Sequence, residues 1–407
     1  MIIPHSIRSI MTAAAALSST EVKTTRSALN TNTNTLTPRA INADYANVAT
    51  SAITALDGFY MKDSFRWKNI GGWIAANVYN DIMDFDLWSK TKKYESTYGA
   101  SLLTIATSTA AQQKAGSTND FNDDQLWWCL AMIRAYQNYG HRELLDQSIK
   151  QWRAISANAQ IFKSDQGTKV SKGGIERDTA IPANCDIDGA VYWASTGDSG
   201  LNAISTSLFA QVGAWLLAIT GDASFRGPTD SAINWLQRMM LDKKTGIMNV
   251  DALTAGRCTK HPGSLTYNTG TYIGALTSLY MTTSDAKYLD AAALSVTSSV
   301  TGSFGNDPAL VIDQQSNLTA NGDGVQWRDV LFRNLADFYT TIGSRGKVSD
   351  HLKGKIAAFL KANYDQIQSK AKFGNLYAAN WYGKLNEGSD WGTGSVLGNF
   401  IGAMLVL

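Results

Sequence analysis

Phe121-Asn122-Asp123-Asp124-Gln125-Leu126-Trp127-Trp128, continuing from Cys129 to Tyr136, sets two adjacent carboxylates where a helix begins. Leu126, Leu130, Ile133 and Tyr136 recur at helical spacing and mark one buried stripe. Asn122 is placed to accept a hydrogen bond from the free amides of the first turn. The aspartates sit beside the positive end of the helix dipole. Alone, Asn-Asp-Asp before an apolar run is a helix start and nothing more. Its neighbours give it chemistry: Trp127 and Trp128 lie within a turn of the acids. Paired carboxylates beside flat apolar rings suit the cleavage of a sugar, because carboxylates supply both acid and nucleophile.

Outward from this stretch the pattern is helical almost throughout. Helices are expected near 42–59, 71–88, 92–114, 122–139, 142–160, 199–220, 225–241, 268–282, 285–300, 325–341, 348–367 and 392–405. Turn signals such as Tyr139-Gly140-His141 and Thr220-Gly221-Asp222 separate them. Sustained period-2 alternation is scarce, so the fold class is all-α. Paired helices with Ala- and Leu-rich faces suggest an α/α toroid in which alternate helices are inner and their N-terminal loops rim one mouth. No sequence repeat of fixed period is present, and a plain helical bundle is the alternative.

A chain of 407 residues with 44% hydrophobic and 17% charged residues has a sizeable core. Its net charge of +2 gives no electrostatic case for nucleic acid or an anionic membrane. Twelve Trp and sixteen Tyr are a large stock, most of it core, and also suited to stacking on carbohydrate. Three cysteines leave at least one thiol unpaired; Cys185 and Cys258, in loop-like stretches, could bridge, while Cys129 falls inside the central helix. His5, His141, His261 and His351 are scattered singly, and no metal-site spacing occurs. Residues 1–19 read as a weak secretory signal and 20–40 as a disordered segment. No uninterrupted apolar run is long enough to span a membrane. The apolar C-terminus, Gly398 to Leu407, reads as a last helix rather than a lipid-anchor signal. Asn317-Leu318-Thr319 is an N-glycosylation sequon, expected on the surface.

Several loop stretches end in polar or aromatic residues just before a helix. Trp73 precedes Asn77 near a chain reversal, and Cys185-Asp186-Ile187-Asp188-Gly189-Ala190-Val191-Tyr192-Trp193 is followed by Asn202. Asp251 follows a short apolar run, and Thr266-Tyr267-Asn268 opens a helix. Each has a plain structural explanation, a cap for Asn268 or a turn for Asp251. Their recurrence before helices is the signal, because a toroid gathers such loops at one end.

Asp123-Asp124-Gln125-Leu126-Trp127-Trp128 resembles the Asp-Asp-x-Leu-Trp-Trp motif of glycoside hydrolase family 76, the α-1,6-mannanases, which include fungal cell-wall enzymes. The resemblance continues in order through Trp73 with Asn77, Cys185 to Trp193, Asn202-Ala203-Ile204-Ser205, Asp251, Cys258, Thr266-Tyr267-Asn268, Gly270 and Tyr288-Leu289-Asp290. It implies an (α/α)6 barrel spanning 41–407 as a single catalytic domain, and a retaining mechanism. Asp123 would match the nucleophile and Asp124 the acid/base. Asn77, Asp251 and Tyr267 would match sugar-contacting positions, with Trp73, Trp127, Trp128, Tyr192, Trp193, Asn202 and Asn268 completing the substrate site. The family positions also imply a Cys185–Cys258 disulfide. The expected enzyme is a secreted or wall-associated monomer acting on α-1,6-linked mannan or mannose-containing glycans, with no cofactor and no metal.

Two departures stand out. The family's Cys-Gly-Gly-Gly-Ile-Trp-Trp appears here with two extra residues and two new acids, Asp186 and Asp188, and its Trp-Thr-Tyr-Asn-Gln begins with Leu265. Two rivals remain. Helical terpene cyclases use aspartate clusters to hold magnesium, but their motif wants a third acid where Trp127 stands. A glycan-binding barrel would use the same acids only as hydrogen-bond acceptors. Hydrolysis and mannosyl transfer share one glycosyl-enzyme intermediate and are not separable from sequence.

Overall fold

The computed structural model describes residues 41–172, 174–177, 180–195, 200–304, 324–342, 347–381 and 388–407; the expectations placed on residues 1–40 and on Asn317 lie outside these. In chain order the helices are α1 (Ala43–Asp57), α2 (Gly72–Ser89), α3 (Ala100–Thr107), α4 (Thr109–Ala115), α5 (Asn122–Tyr139), α6 (Arg142–Asn158) and α7 (Ala203–Thr220). They continue with α8 (Arg226–Met239), α9 (Thr266–Thr283), α10 (Ala286–Ser299), α11 (Gly324–Thr341), α12 (Asp350–Gln366), α13 (Asp390–Gly394) and α14 (Leu397–Val406).

Helix α2 packs on α5, α5 on α7, α7 on α9, α9 on α11, α11 on α14, and α14 returns to α2. Six inner helices thus close a ring. The others pack outside it: α6 on α5, α8 on α7, α10 on α9, α1 and α12 on α14, and α3 between α5 and α6. This is an (α/α)6 barrel. Burial follows the two roles. Outer α6 buries one stripe, Leu144, Leu145, Ser148, Trp152 and Ile155, at the spacing of a helix with one wet face. Inner α7 buries every residue from Ala203 to Leu217. This helix is long and apolar enough by composition to cross a membrane, although Ser, Thr and Gln interrupt its sequence; here 83% of it is buried as barrel wall.

The ring closes tightly where side chains are absent. A Cβ on Gly270 would lie 3.0 Å from the Leu331 backbone, and one on Gly274 would strike Asn334 Oδ1 at 2.1 Å and Gln211 Nε2 at 2.2 Å. Glycine one turn apart on α9 lets α7 and α11 approach and pair, with Gln211 Nε2 donating to Asn334 Oδ1 at 2.8 Å.

Three local expectations need correction. The segment expected as one helix over 92–114 is a π-helical turn, Glu95–Gly99, then α3 and α4, broken at Ser108, whose hydroxyl caps α4 by accepting from Ala111 N. The helix expected from 199 begins at Ala203, because Gly200–Asn202 is a strand paired with Val250–Thr254, which pairs in turn with Thr259–Pro262. Strands this short carry no readable alternation. Finally, Asn122 does not cap α5. Phe121 occupies that position without a side-chain bond, and Asn122 Nδ2 donates to the Tyr192 carbonyl at 2.8 Å. Cys185 and Cys258 form a disulfide with Cα atoms 5.5 Å apart, tying the 180–195 loop to the small sheet, and Cys129 is a buried free thiol.

Candidate active site

Outer and inner helices alternate along the chain, from outer α1 to inner α14, so the inner N-termini open on one mouth. Trp73 is the second residue of α2, Asp123 and Asp124 are the second and third of α5, Asn202 precedes α7, Tyr267 is the second of α9, and Trp327 the fourth of α11. Their rings meet across the mouth. Trp73 stacks on Trp127 with centroids 5.8 Å apart and lies 6.3 Å from Tyr267, which stacks on Trp327 at 5.2 Å. On the other side Trp193 packs on Phe121 at 4.6 Å.

The acid pair is held by its own helix start. Asn119 Oδ1 accepts from Phe121 N at 3.0 Å, Gln125 Nε2 donates to the Asn119 carbonyl at 2.6 Å, and Asn119 Nδ2 donates to Asp124. The Asn122 amide N donates to the Trp193 carbonyl at 2.8 Å, which draws the 190s loop over the helix end. The two carboxyls then differ. Asp123 is buried at 8% exposure, whereas Asp124 is half-buried.

Burial pushes the Asp123 carboxyl up to about 8, and the neighbouring Asp124 charge adds to the shift. The amides of the first turn and the Trp193 side chain oppose it and lose. Sequence could not decide that contest; the depth of Asp123 decides it. Among the described residues, Asp123 Oδ1 has no hydrogen-bond partner; the interior Asp81 Oδ2 and Asp84 Oδ1 also lack one, but those two carboxyls are paired with arginines and Asp123 is not. Across the mouth, burial also raises Asp251, against the amide of Asn268, whose Nδ2 donates to Asp251 Oδ1 at 2.9 Å.

The residues singled out from sequence sort by depth. Trp73, Asp124, Trp193, Asn202, Asp251 and Tyr267 keep partly exposed faces, and Asn202 lies beside Ala252 in the small sheet, next to Asp251. Asn268 is fully buried and serves Asp251. Trp127 is 2% exposed and backs Trp73. Trp128 packs inward on Tyr79, and Tyr192 lies under the Arg177 guanidinium, 3.9 Å from the ring centroid. Both are 1% exposed. Asn77 is 1% exposed, one turn below Trp73. Sequence reasoning missed Asn119, Trp327 and Arg333. The first-turn rule that marked Tyr267 and Asn268 applies equally to Trp327; Asn119 and Arg333 carried no local signal.

The sequence profile of glycosyl hydrolase family 76 matches residues 40–403. The chain belongs to glycosyl hydrolase family 76. Among solved structures, the α-1,6-mannanase GH76A of Salegentibacter sp. HEL1_6 is similar at TM-score 0.73 and 18% identity, over 89% of this chain and 100% of that one. An inactive variant of that enzyme, with two consecutive aspartates replaced, was solved with α-1,6-mannotetrose; it matches at TM-score 0.73 and 17% identity over the same shares, 89% and 100%. Dfg5 from Chaetomium thermophilum, in complex with glucosamine, is similar at TM-score 0.70 and 14% identity, over 90% of this chain and 92% of that one. At such identities these likenesses speak for the fold. No curated protein matches the chain in sequence.

The extra acids of this family 76 chain belong to its framework. Asp186 pairs with Arg238 of α8 at 2.7 Å, which holds its carboxyl below the usual range, and its carbonyl accepts from Trp235 Nε1. Asp188 Oδ1 accepts from Lys163 N at 3.1 Å. Among the described residues, no group of three or more His, Cys, Asp or Glu is arranged to hold a metal ion.

Proposed function

We propose that this family 76 glycoside hydrolase cleaves internal α-1,6-mannosidic bonds of mannan or mannoprotein glycans with retention of configuration. One observation carries the reading: adjacent carboxyls of unequal burial, Asp123 raised to about 8, at the start of an inner helix in an aromatic-walled mouth. A retaining enzyme needs one ionised and one protonated carboxyl about 5–5.5 Å apart, a span that neighbouring residues suit. The α-1,6-mannanase neighbour that lost activity with two consecutive aspartates, and that holds α-1,6-mannotetrose, supports both the pair and the substrate.

The resemblance makes Asp123 the nucleophile and Asp124 the acid/base, whereas burial favours the proton on Asp123, and Asn119 Nδ2 donates to Asp124. In our reading the pair shares one proton, which passes to Asp124 when the glycosidic oxygen is beside it. Asp123 then attacks the anomeric carbon as Asp124 protonates the departing oxygen. Asp124 next takes a proton from water, which hydrolyses the mannosyl ester. Trp73, Trp193, Tyr267 and Trp327 would face the sugars, and Asn202 and Asp251 would bind their hydroxyls. We further propose a secreted or wall-associated monomer with 41–407 as one catalytic domain.

The second reading is transfer, in which a sugar hydroxyl replaces water; the likeness to Dfg5, which was solved with an amino sugar, favours keeping it. Incubation with linear α-1,6-mannooligosaccharides and product analysis tests both. Shorter products alone indicate hydrolysis, and products longer than the substrate indicate transfer. Binding without turnover would leave a glycan-binding barrel and refute the enzyme.

A further inference from the structure

Asn77 is bound on both sides of its amide, and each partner allows only one orientation. Arg333 Nη2 donates to Asn77 Oδ1 at 2.7 Å, and Asn77 Nδ2 donates to the Trp73 carbonyl at 3.1 Å. A guanidinium has no acceptor and a carbonyl has no donor, so the amide cannot flip. Arg333 is itself fixed. Its Nη1 contacts Asp81 Oδ1 at 2.8 Å and lies 3.9 Å from Asp329 Oδ2, and the side chain is 6% exposed. The two prongs of one planar fork thus serve different partners, which a lysine ammonium could not do from that place.

We infer that Arg333 is a positioning residue of the mouth: it fixes Asn77 so that a sugar meets this amide as a hydrogen-bond donor. The inference rests on the carbohydrate reading above. Oδ1 is spent on Arg333, and one N–H remains after the bond to Trp73. Asn77 lies one turn below Trp73, so this N–H serves only a hydroxyl seated at the bottom of the mouth. That hydroxyl must accept from Asn77 and give its own proton to an acceptor, a role the acidic groups of the mouth can fill. With Arg333 gone, only the 3.1 Å bond to the Trp73 carbonyl holds the amide, and breaking that one bond lets it turn and present an oxygen to the same hydroxyl. The site would then hold two acceptors where it needs one donor.

A double-mutant cycle tests this, read as kcat/KM on linear α-1,6-mannooligosaccharides alongside the melting temperature. Arg333→Lys should lower kcat/KM by about 10- to 100-fold, and Asn77→Ala by at least as much. The combined variant should be no worse than Asn77→Ala, because Arg333 acts through Asn77. A loss from Arg333→Lys that is equally large in the Asn77→Ala background, or no loss at all, overturns the inference. If Arg333→Lys does not fold, Arg333→Met with Asp81→Asn removes both charges together, and the same cycle is run with that pair. Unmodified protein that neither cleaves nor binds these oligosaccharides refutes the carbohydrate reading, and the positioning role falls with it. Active unmodified protein with an additive cycle refutes the positioning role alone.

Discussion

Two regions of the barrel bury carboxyls, and they do so in opposite ways. Deep inside, Arg134 pairs with Asp84 at 2.7 Å and with Asp337, and its guanidinium lies 4.1 Å from the Trp215 centroid. Arg333 pairs with Asp81, and Gly398 N and Gln326 Nε2 donate to Asp329. At the mouth Asp123 is also buried and also raised, but among the described residues it makes no ion pair. The interior acids are bound to arginine and fix which helix faces which. The mouth acid makes no such pair and lies beside partly exposed aromatic rings. A raised carboxyl alone therefore does not single out a candidate active site; the lack of an arginine and the place at an open end are what make Asp123 the candidate.

The largest expected effect breaks this comparison at the mouth. Asp123→Asn should lower turnover on α-1,6-mannooligosaccharides by at least about 10^4-fold, while leaving the fold intact. It should also stabilise the protein in alkali. The folded carboxyl titrates near 8 and the unfolded one near the usual value, so the cost of its burial appears as pH rises between them and is absent in acid. Thermal melts at pH 5 and pH 9 read this directly. Asp124→Asn should spare the first step for an aryl mannoside whose leaving group needs little protonation. Azide should then restore turnover and give the α-mannosyl azide, by attack on the covalent intermediate. Azide acting on Asp123→Asn should give the β product; an α product there would exchange the two roles. In the unmodified protein kcat/KM should fall above about pH 8, where the pair loses its one proton.

Next comes the interior. Arg134→Met leaves Asp84 and Asp337 buried without their cation and should cost about 3–5 kcal/mol, measured by denaturant unfolding at pH 7. A loss much smaller than that would mean these pairs do not hold the wall together. A smaller effect sharpens the same point. Burial raises Asp84 to about 7 against the pull of Arg134. Its folded value lies above its unfolded one, so its contribution is full in acid and is lost as pH rises through about 7. Stability should decline from pH 5 to pH 8, by at most about 1.4 kcal/mol per pH unit for this group. Asp84→Asn should flatten the decline.

The same contrast explains what could be read from sequence. The acid pair was legible because its members are adjacent and stand at a helix start, and the twelve-segment alternation was legible because inner and outer helices differ in how much of their circumference is apolar. The interior network was not. Arg134 meets Asp337 and Arg333 meets Asn77 across 203 and 256 residues, and in sequence each looks like a charge on a solvated face. Trp128 and Tyr192 sit next to Trp127 and Trp193 in sequence yet pack inward, on Tyr79 and under Arg177, because neighbours diverge by about 100° on a helix, as at Trp128, and alternate sides in extended chain, as at Tyr192. Asn119 escaped notice because its value lies in three bonds to the turn that follows it, and a lone asparagine in a loop announces none of them.

The most direct test of the central claim is the anomeric form of the first product. Proton NMR of the unmodified protein acting on an α-1,6-mannooligosaccharide, recorded before mutarotation, should show the α-anomer at the new reducing end, because attack by one carboxylate and then by water inverts the carbon twice. A first-formed β-anomer would contradict the shared-proton pair of Asp123 and Asp124 as nucleophile and acid/base.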